Sequence, residues 1–190
     1  MLPVAMVVGA YLLGTIPTGL LLARVRGIDI RTVGSGNIGA TNVARALGKP
    51  LGALVLLLDA VKGFAPVVLA IPRLEEPWVA GVGLAAILGH VFPIWLRFKG
   101  GKGVATALGV FIALAPYAAL AAVVVYGLVV WLSRLSSLGS LTATTALLAG
   151  MIIGRQSMPR LALAGVVWIL IVWRHRENIR RLIRREETRV

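Results

Sequence analysis

Residues 34–45 read Gly-Ser-Gly-Asn-Ile-Gly-Ala-Thr-Asn-Val-Ala-Arg, a polar stretch in a chain that is 58% hydrophobic. Gly34, Gly36 and Gly39 allow positive φ and close approach of the backbone to a ligand. Ser35, Asn37, Thr41 and Asn42 bring hydroxyls and amides, and Arg45 brings a fork of donors shaped for phosphate or carboxylate. Small residues, one cation and no acid suit an anion. The same residues also suit a plain connecting loop of turn formers, and both readings stand at this point.

A second segment runs from His90-Val91-Phe92-Pro93 to Lys99-Gly100-Gly101-Lys102-Gly103-Val104-Ala105-Thr106. Backbone N–H groups freed by glycines at a helix start make an anion nest, and Lys99 and Lys102 add charge. The spacing is not that of a Walker A loop, and Gly103 stands where Ser or Thr would be, which argues against ATP or GTP hydrolysis. The alternative is an inner loop made basic by membrane topology. His90 alone is read as a buried, hydrogen-bonded helix residue or, more sharply, as a catalyst.

A third segment is Arg174-His175-Arg176-Glu177-Asn178-Ile179-Arg180-Arg181-Leu182. His175 and Asn178 are three apart and so share a helix face. An arginine-rich tail can equally be a topology anchor or a patch for lipid headgroups. Asp59 and Lys62 lie inside an apolar run, where an unpaired charge costs on the order of 3 kcal/mol. They are expected to pair with each other or to form a polar floor under a cavity, with a proton relay as the alternative. Ser137 and Ser140 could face the same cavity.

The elements that position these residues follow from composition. The 190 residues have a mean hydropathy of +0.91, well above soluble domains, so the chain is expected to be an integral membrane protein. Its net charge of +13, from 20 Lys and Arg against 7 Asp and Glu, fits an anionic membrane face and anionic ligands. Nothing resembles a nucleic-acid-binding module, so no nucleic-acid partner is expected. There is no Cys, and His90 and His175 are the two histidines, so neither a thiolate nucleophile, a metal site nor a cofactor is expected.

A membrane helix needs about 20 mostly apolar residues. The candidates are 2–22, 51–71, 78–96, 138–153 and 159–173, plus a run at 104–132 that is long for one span and short for two. Residues 2–22 are expected to be a retained span rather than a cleaved signal. Excess Lys and Arg mark the cytoplasmic side. If 104–132 turns at Pro116, seven spans place Arg24, Arg26, Arg31, Arg45, Lys49, Arg97, Lys99, Lys102, Arg134 and the tail inside. Arg73, Arg155 and Arg160 are then left outside. The fold class expected is therefore all-α and polytopic, a single domain over 1–190, with seven transmembrane helices, the N-terminus outside and the C-terminus cytoplasmic. All three polar segments then lie on one face, where they can converge on one cavity.

Taken together, in this order and spacing, the three segments closely resemble the bacterial acyl-phosphate:glycerol-3-phosphate acyltransferases over essentially the whole chain. One departure is Arg185, where the family often has Gly two residues before the terminal Glu, here Glu187. The resemblance implies transfer of a fatty acyl group from acyl phosphate to the 1-hydroxyl of glycerol 3-phosphate. The products would be 1-acyl-glycerol 3-phosphate and phosphate, at the start of phospholipid biosynthesis. It implies a multi-pass protein of the bacterial inner membrane with its active site at the cytoplasmic face. Partners would be the two substrates and the bilayer, with no obligate protein partner.

By the same resemblance the acyl-phosphate head group falls to Gly100, Gly101, Lys102 and Gly103, with Thr41, Asn42 and Ser140 as helpers. Glycerol phosphate falls to Ser35, Asn37, Arg45, Lys102, His175 and Asn178, and catalysis to Ser35, Arg45, Lys102, His175 and Asn178. Direct attack without an acyl-enzyme fits a chain with no Cys and no visible Ser-His-Asp arrangement. The attacking hydroxyl's proton goes either to the donor's own phosphate, which the resemblance favours, or to His175. The His-x-x-x-x-Asp chemistry of other glycerolipid acyltransferases is excluded, because Trp95 and Arg180 occupy the fifth places after His90 and His175. The alternatives are an organophosphate anion transporter, or acyl transfer from a carrier protein or coenzyme A.

Overall fold

The computed structural model describes residues 1–190 and contains helices and no strands. In chain order the helices are α1 (Leu2–Gly14), α2 (Thr18–Val25), α3 (Ala40–Leu47), α4 (Lys49–Ala70) and α5 (Glu76–Val91). They continue as α6 (Val104–Leu114), α7 (Pro116–Ser133), α8 (Ser136–Ile153), α9 (Met158–Arg174) and α10 (Arg176–Ile183). Prolines lie in the first turn of α1, α4, α5, α7 and α9. A first-turn proline loses no intrahelical donor and already has helical φ, so these residues set where each apolar run begins to wind. Gly48, at φ +95, ends α3 and lets α4 start at once.

Five segments are long and apolar enough to cross a membrane: Leu2–Val25, Lys49–Ala70, Glu76–Leu96, Pro116–Ser133 and Ser136–Ile153. The bent pair Met158–Arg174 and Arg176–Ile183 would make a sixth. The 104–132 run does break beside Pro116, because Ala115 leaves the helical region at φ −149 and ψ 67. The part before the break is α6, which with 11 residues is roughly 16 Å long and too short to cross a hydrocarbon core of about 30 Å by itself.

The chain forms two compact units, Met1–Val110 and Phe111–Val190. In the first, α1 packs on α5, and α4 packs on α1, α2, α3 and α5. Leu20, Ala23, Ile30, Ile38, Val43 and Val55 form a buried cluster beneath the 26–45 segment. Close helix approach comes from small residues. A Cβ on Gly63 would overlap the Thr106 carbonyl, and one on Gly109 the Ala60 carbonyl. Without water, helices associate by such backbone contact. In the second unit α8 packs on α7, α9 and α10, and α10 also packs on α9.

Gly109→Val should therefore lower the melting temperature in detergent, by about 1–3 kcal/mol of overpacking. Gly127→Ala is the control, since a Cβ there meets nothing within 4 Å, and should not lower it.

Candidate active site

The 34–45 stretch divides at Gly39: the first half is loop and the second is α3. Asn42, 2% exposed, fills the bend of that loop. Its Nδ2 donates to the carbonyls of Ile30, Val33 and Asn37 at 3.2, 2.9 and 3.0 Å, and its Oδ1 accepts the Ser35 N–H at 3.0 Å. One side chain thus ties together four backbone groups of the loop. Gly34 has φ +58, and a Cβ there would overlap Asn42 Oδ1, so the turn requires glycine. Asn37 Oδ1 accepts the Gly39 N–H at 3.2 Å. The entrance is fixed by Asp29, whose carboxylate accepts from the backbone N–H and guanidinium of Arg31. Those hydrogen bonds hold its pKa at about 2.

With the loop braced in this way, Ser35 and Arg45 are left exposed, Arg45 on the last turn of α3, while Thr41 is half-buried at its start. The sequence placed Asn42 beside the anion-binding groups; its hydrogen bonds make it the brace that shapes the segment.

The Lys-Gly-Gly-Lys-Gly turn folds back on the end of α5. Gly100 N–H donates to the Val91 carbonyl and Gly101 N–H to the His90 carbonyl, both at 3.1 Å. The sequence treats both amides as available to an anion; here they tie the turn to its scaffold. Arg97 and Phe98 precede it with φ of 50 and 62, a left-handed pair without glycine. Lys102 is half-buried, and Gly103, at φ +84, is followed directly by α6.

In the second unit, α9 and α10 meet at a 59° bend on which His175 sits, 2% exposed. Its Nδ1 is 2.8 Å from the Ile171 carbonyl. A carbonyl only accepts, so Nδ1 carries the proton, and Nε2 is the nitrogen able to accept one. Asn178, one turn on, donates from Nδ2 to Glu187 Oε1 at 2.7 Å. Ser137 Oγ donates to the same oxygen at 2.9 Å, and Arg181 Nε donates to Glu187 Oε2 at 2.7 Å. Ser140 is buried, and its hydroxyl donates to the Ser136 carbonyl at 2.9 Å.

Glu187 is the residue that sequence reasoning undervalued. Burial alone would raise its pKa, but hydrogen bonds from Asn178, Arg181 and Ser137 outweigh that and hold it below the ordinary carboxylate value. Arg185, two residues before Glu187, has φ +61. A non-glycine residue thus makes this turn, and Glu187 reaches Asn178. The available signal was an acid nine residues beyond Asn178 in a basic tail.

The model of the family described as glycerol-3-phosphate acyltransferase matches residues 4–185. A glycerol-3-phosphate acyltransferase of Myxococcus xanthus (strain DK1622) is 54% identical over 188 residues, covering 97% of this chain and 98% of that one. One from Geobacter sulfurreducens is 49% identical over 181 residues, covering 95% and 93%. Among solved structures, PlsY (YgiH), an integral membrane glycerol 3-phosphate acyltransferase in its glycerol 3-phosphate form, is 44% identical. It superposes with a TM-score of 0.98, covering 100% of this chain and 96% of that one. The lysophosphatidic acid form of PlsY superposes with a TM-score of 0.93.

The Glu187 clasp gives a pH prediction. Because the folded pKa is depressed, its contribution is complete above about pH 4.3 and is lost as pH falls through the lower folded value. Glu187→Gln should cost about 2 kcal/mol near neutral pH and flatten the acid limb of a melting-temperature profile. An unchanged profile would show that the clasp contributes nothing.

Proposed function

This chain belongs to the glycerol-3-phosphate acyltransferase family, and we propose that it takes its acyl group from acyl phosphate and delivers it to the 1-hydroxyl of glycerol 3-phosphate. One observation carries the reading. The integral membrane relative that it superposes on over its full length was solved in a glycerol 3-phosphate form and in a lysophosphatidic acid form, an acceptor and an acylated product. Acyl phosphate as donor is supported by the Lys-Gly-Gly-Lys-Gly segment, a second basic anion-holding element separate from the one at 34–45.

The reaction we infer is a direct displacement. The acceptor oxygen attacks the acyl carbon, the new ester C–O bond forms, and the C–O bond to phosphate breaks. Inorganic phosphate leaves and takes up the hydroxyl proton on its own oxygen. Acyl phosphate is already activated, so positioning and charge stabilisation supply the catalysis. Arg45 and Lys102 neutralise phosphate, Ser35 and Asn37 hydrogen-bond the acceptor, and the Gly100–Gly103 turn, whose charge comes from Lys102 and whose glycines leave room for the ligand, receives the donor head group with Thr41 and Ser140. Asn42 acts on the same segment from beneath. His175 and Asn178, the latter oriented by Glu187, align the acceptor molecule so that its hydroxyl proton points to the donor phosphate.

The topology we propose has seven membrane segments, with the short α6 crossing where the bilayer thins around it, and the N-terminus outside. The basic segments then face the cytoplasm of a bacterial inner membrane, and one domain performs the whole reaction.

Purified protein should release phosphate from acyl phosphate only when glycerol 3-phosphate is present, and should give no product with acyl-coenzyme A or an acyl carrier protein. Product from either of those donors would overturn the donor assignment, and uptake of glycerol 3-phosphate into vesicles without phosphate release would support transport. Arg45→Ala should raise KM for glycerol 3-phosphate about 10- to 100-fold, the worth of a charge-assisted hydrogen bond. KM for acyl phosphate should change little.

A further inference from the structure

Four polar side chains, Thr18, Asp59, Lys62 and His90, lie together inside the first unit. Asp59, 2% exposed on α4, accepts at Oδ1 from Thr18 Oγ1 at 2.6 Å and pairs with Lys62 Nζ at 2.8 Å. Lys62 Nζ also donates to the Ile16 carbonyl at 2.9 Å, in the break between α1 and α2. The fourth member is His90 on α5, 6% exposed, whose Nδ1 stands 3.6 Å from the same Asp59 oxygen.

The far edge of that imidazole faces the glycine turn. A Cβ built on Gly101 would fall on the ring, overlapping Nε2 and lying 2.8 Å from Cε1 and 2.9 Å from Cδ2. The backbone of the same two residues repeats the contact through the Gly101 N–H to His90 carbonyl hydrogen bond. The end of α5 is itself tied to α1, by Tyr11 donating to the Phe92 carbonyl at 2.9 Å and Trp95 donating to Thr15 Oγ1 at 2.9 Å.

We propose that Asp59 and His90 are positioning residues: Asp59, locked by Thr18 and Lys62, fixes the His90 ring, and the ring fixes Gly101 and with it the 99–103 turn. The proposal deepens the assignment of that turn to acyl phosphate and rests on it. Neither residue touches substrate in this account. The buried ion pair is retained for geometry, since a pair removed from water adds little stability by itself. It also gives Gly101 a specific reason to be glycine. A side chain there would displace the imidazole, whether or not it would also obstruct an anion.

The test separates those two reasons. Gly101→Ala, His90→Ala and the double variant are compared by KM for acyl phosphate and KM for glycerol 3-phosphate. If the ring positions the turn, each single variant raises the donor KM, and the double falls short of the product of the two effects by about threefold or more. Multiplicative effects would overturn the proposal, because Gly101→Ala would then act on the ligand without His90.

Amide hydrogen exchange over residues 97–103 gives a readout that does not depend on the donor. His90→Ala, and Asp59→Asn combined with Lys62→Met to avoid a stranded charge, should both speed exchange at Gly100 and Gly101. Unchanged exchange in both would also overturn the proposal. If the wild-type protein makes no product from acyl phosphate, the donor assignment alone fails, and the exchange result still decides whether Asp59 and His90 position the turn.

Discussion

A carboxylate buried in an apolar helix persists only if its neighbours replace water, and that requirement at Asp59 organises the first unit. Thr18 comes from α2, Lys62 from the next turn of α4 and His90 from α5. Satisfying one oxygen therefore ties α2 to α4, with the His90 imidazole of α5 standing 3.6 Å from it. Lys62 extends the constraint to the Ile16 carbonyl, which also accepts the Thr18 N–H at 3.0 Å where α1 gives way to α2.

The second unit uses the same device where α10 meets α8. Glu187 gathers Ser137 from α8 and Asn178 and Arg181 from α10, so the last residues of the chain hold the first turn of α8 against the final helix. Val190 N–H adds a bond to the Arg134 carbonyl at 2.8 Å. His175 is fixed separately, through its own bond to Ile171 at the bend. A family that acylates glycerol 3-phosphate needs polar groups held at set positions. Asp59 in the first unit and Glu187 in the second each hold groups from different helices together. Asn42 plays the neutral version of the part in the 26–39 loop, where one amide replaces a ladder.

Much of this was legible in order of strength. Apolar runs located the spans to within a few residues, and the distribution of Lys and Arg, with Pro116 in the middle of the run, pointed to the break seen at Ala115. α6 begins at Val104, where the apolar run was expected to begin; what hydropathy did not reveal is that Gly100 and Gly101 bond back to the end of α5. The Asp59–Lys62 pair was expected from its spacing. That His90 stands beside it was not, since 28 residues and a turn between two helices separate Lys62 from His90.

By itself, then, the sequence determined the membrane class, the helical periodicity, the family through its three motifs, and which residue types were available to hold phosphate. Those properties are local, written in composition and in spacings of a few residues. The tertiary structure decided which polar groups already have partners. It turned Asn42 from a ligand candidate into a brace, committed the Gly100 and Gly101 amides to α5, and drew Glu187 onto Asn178. A hydrogen bond between distant residues depends on how helices pack, and packing is set by the whole chain at once.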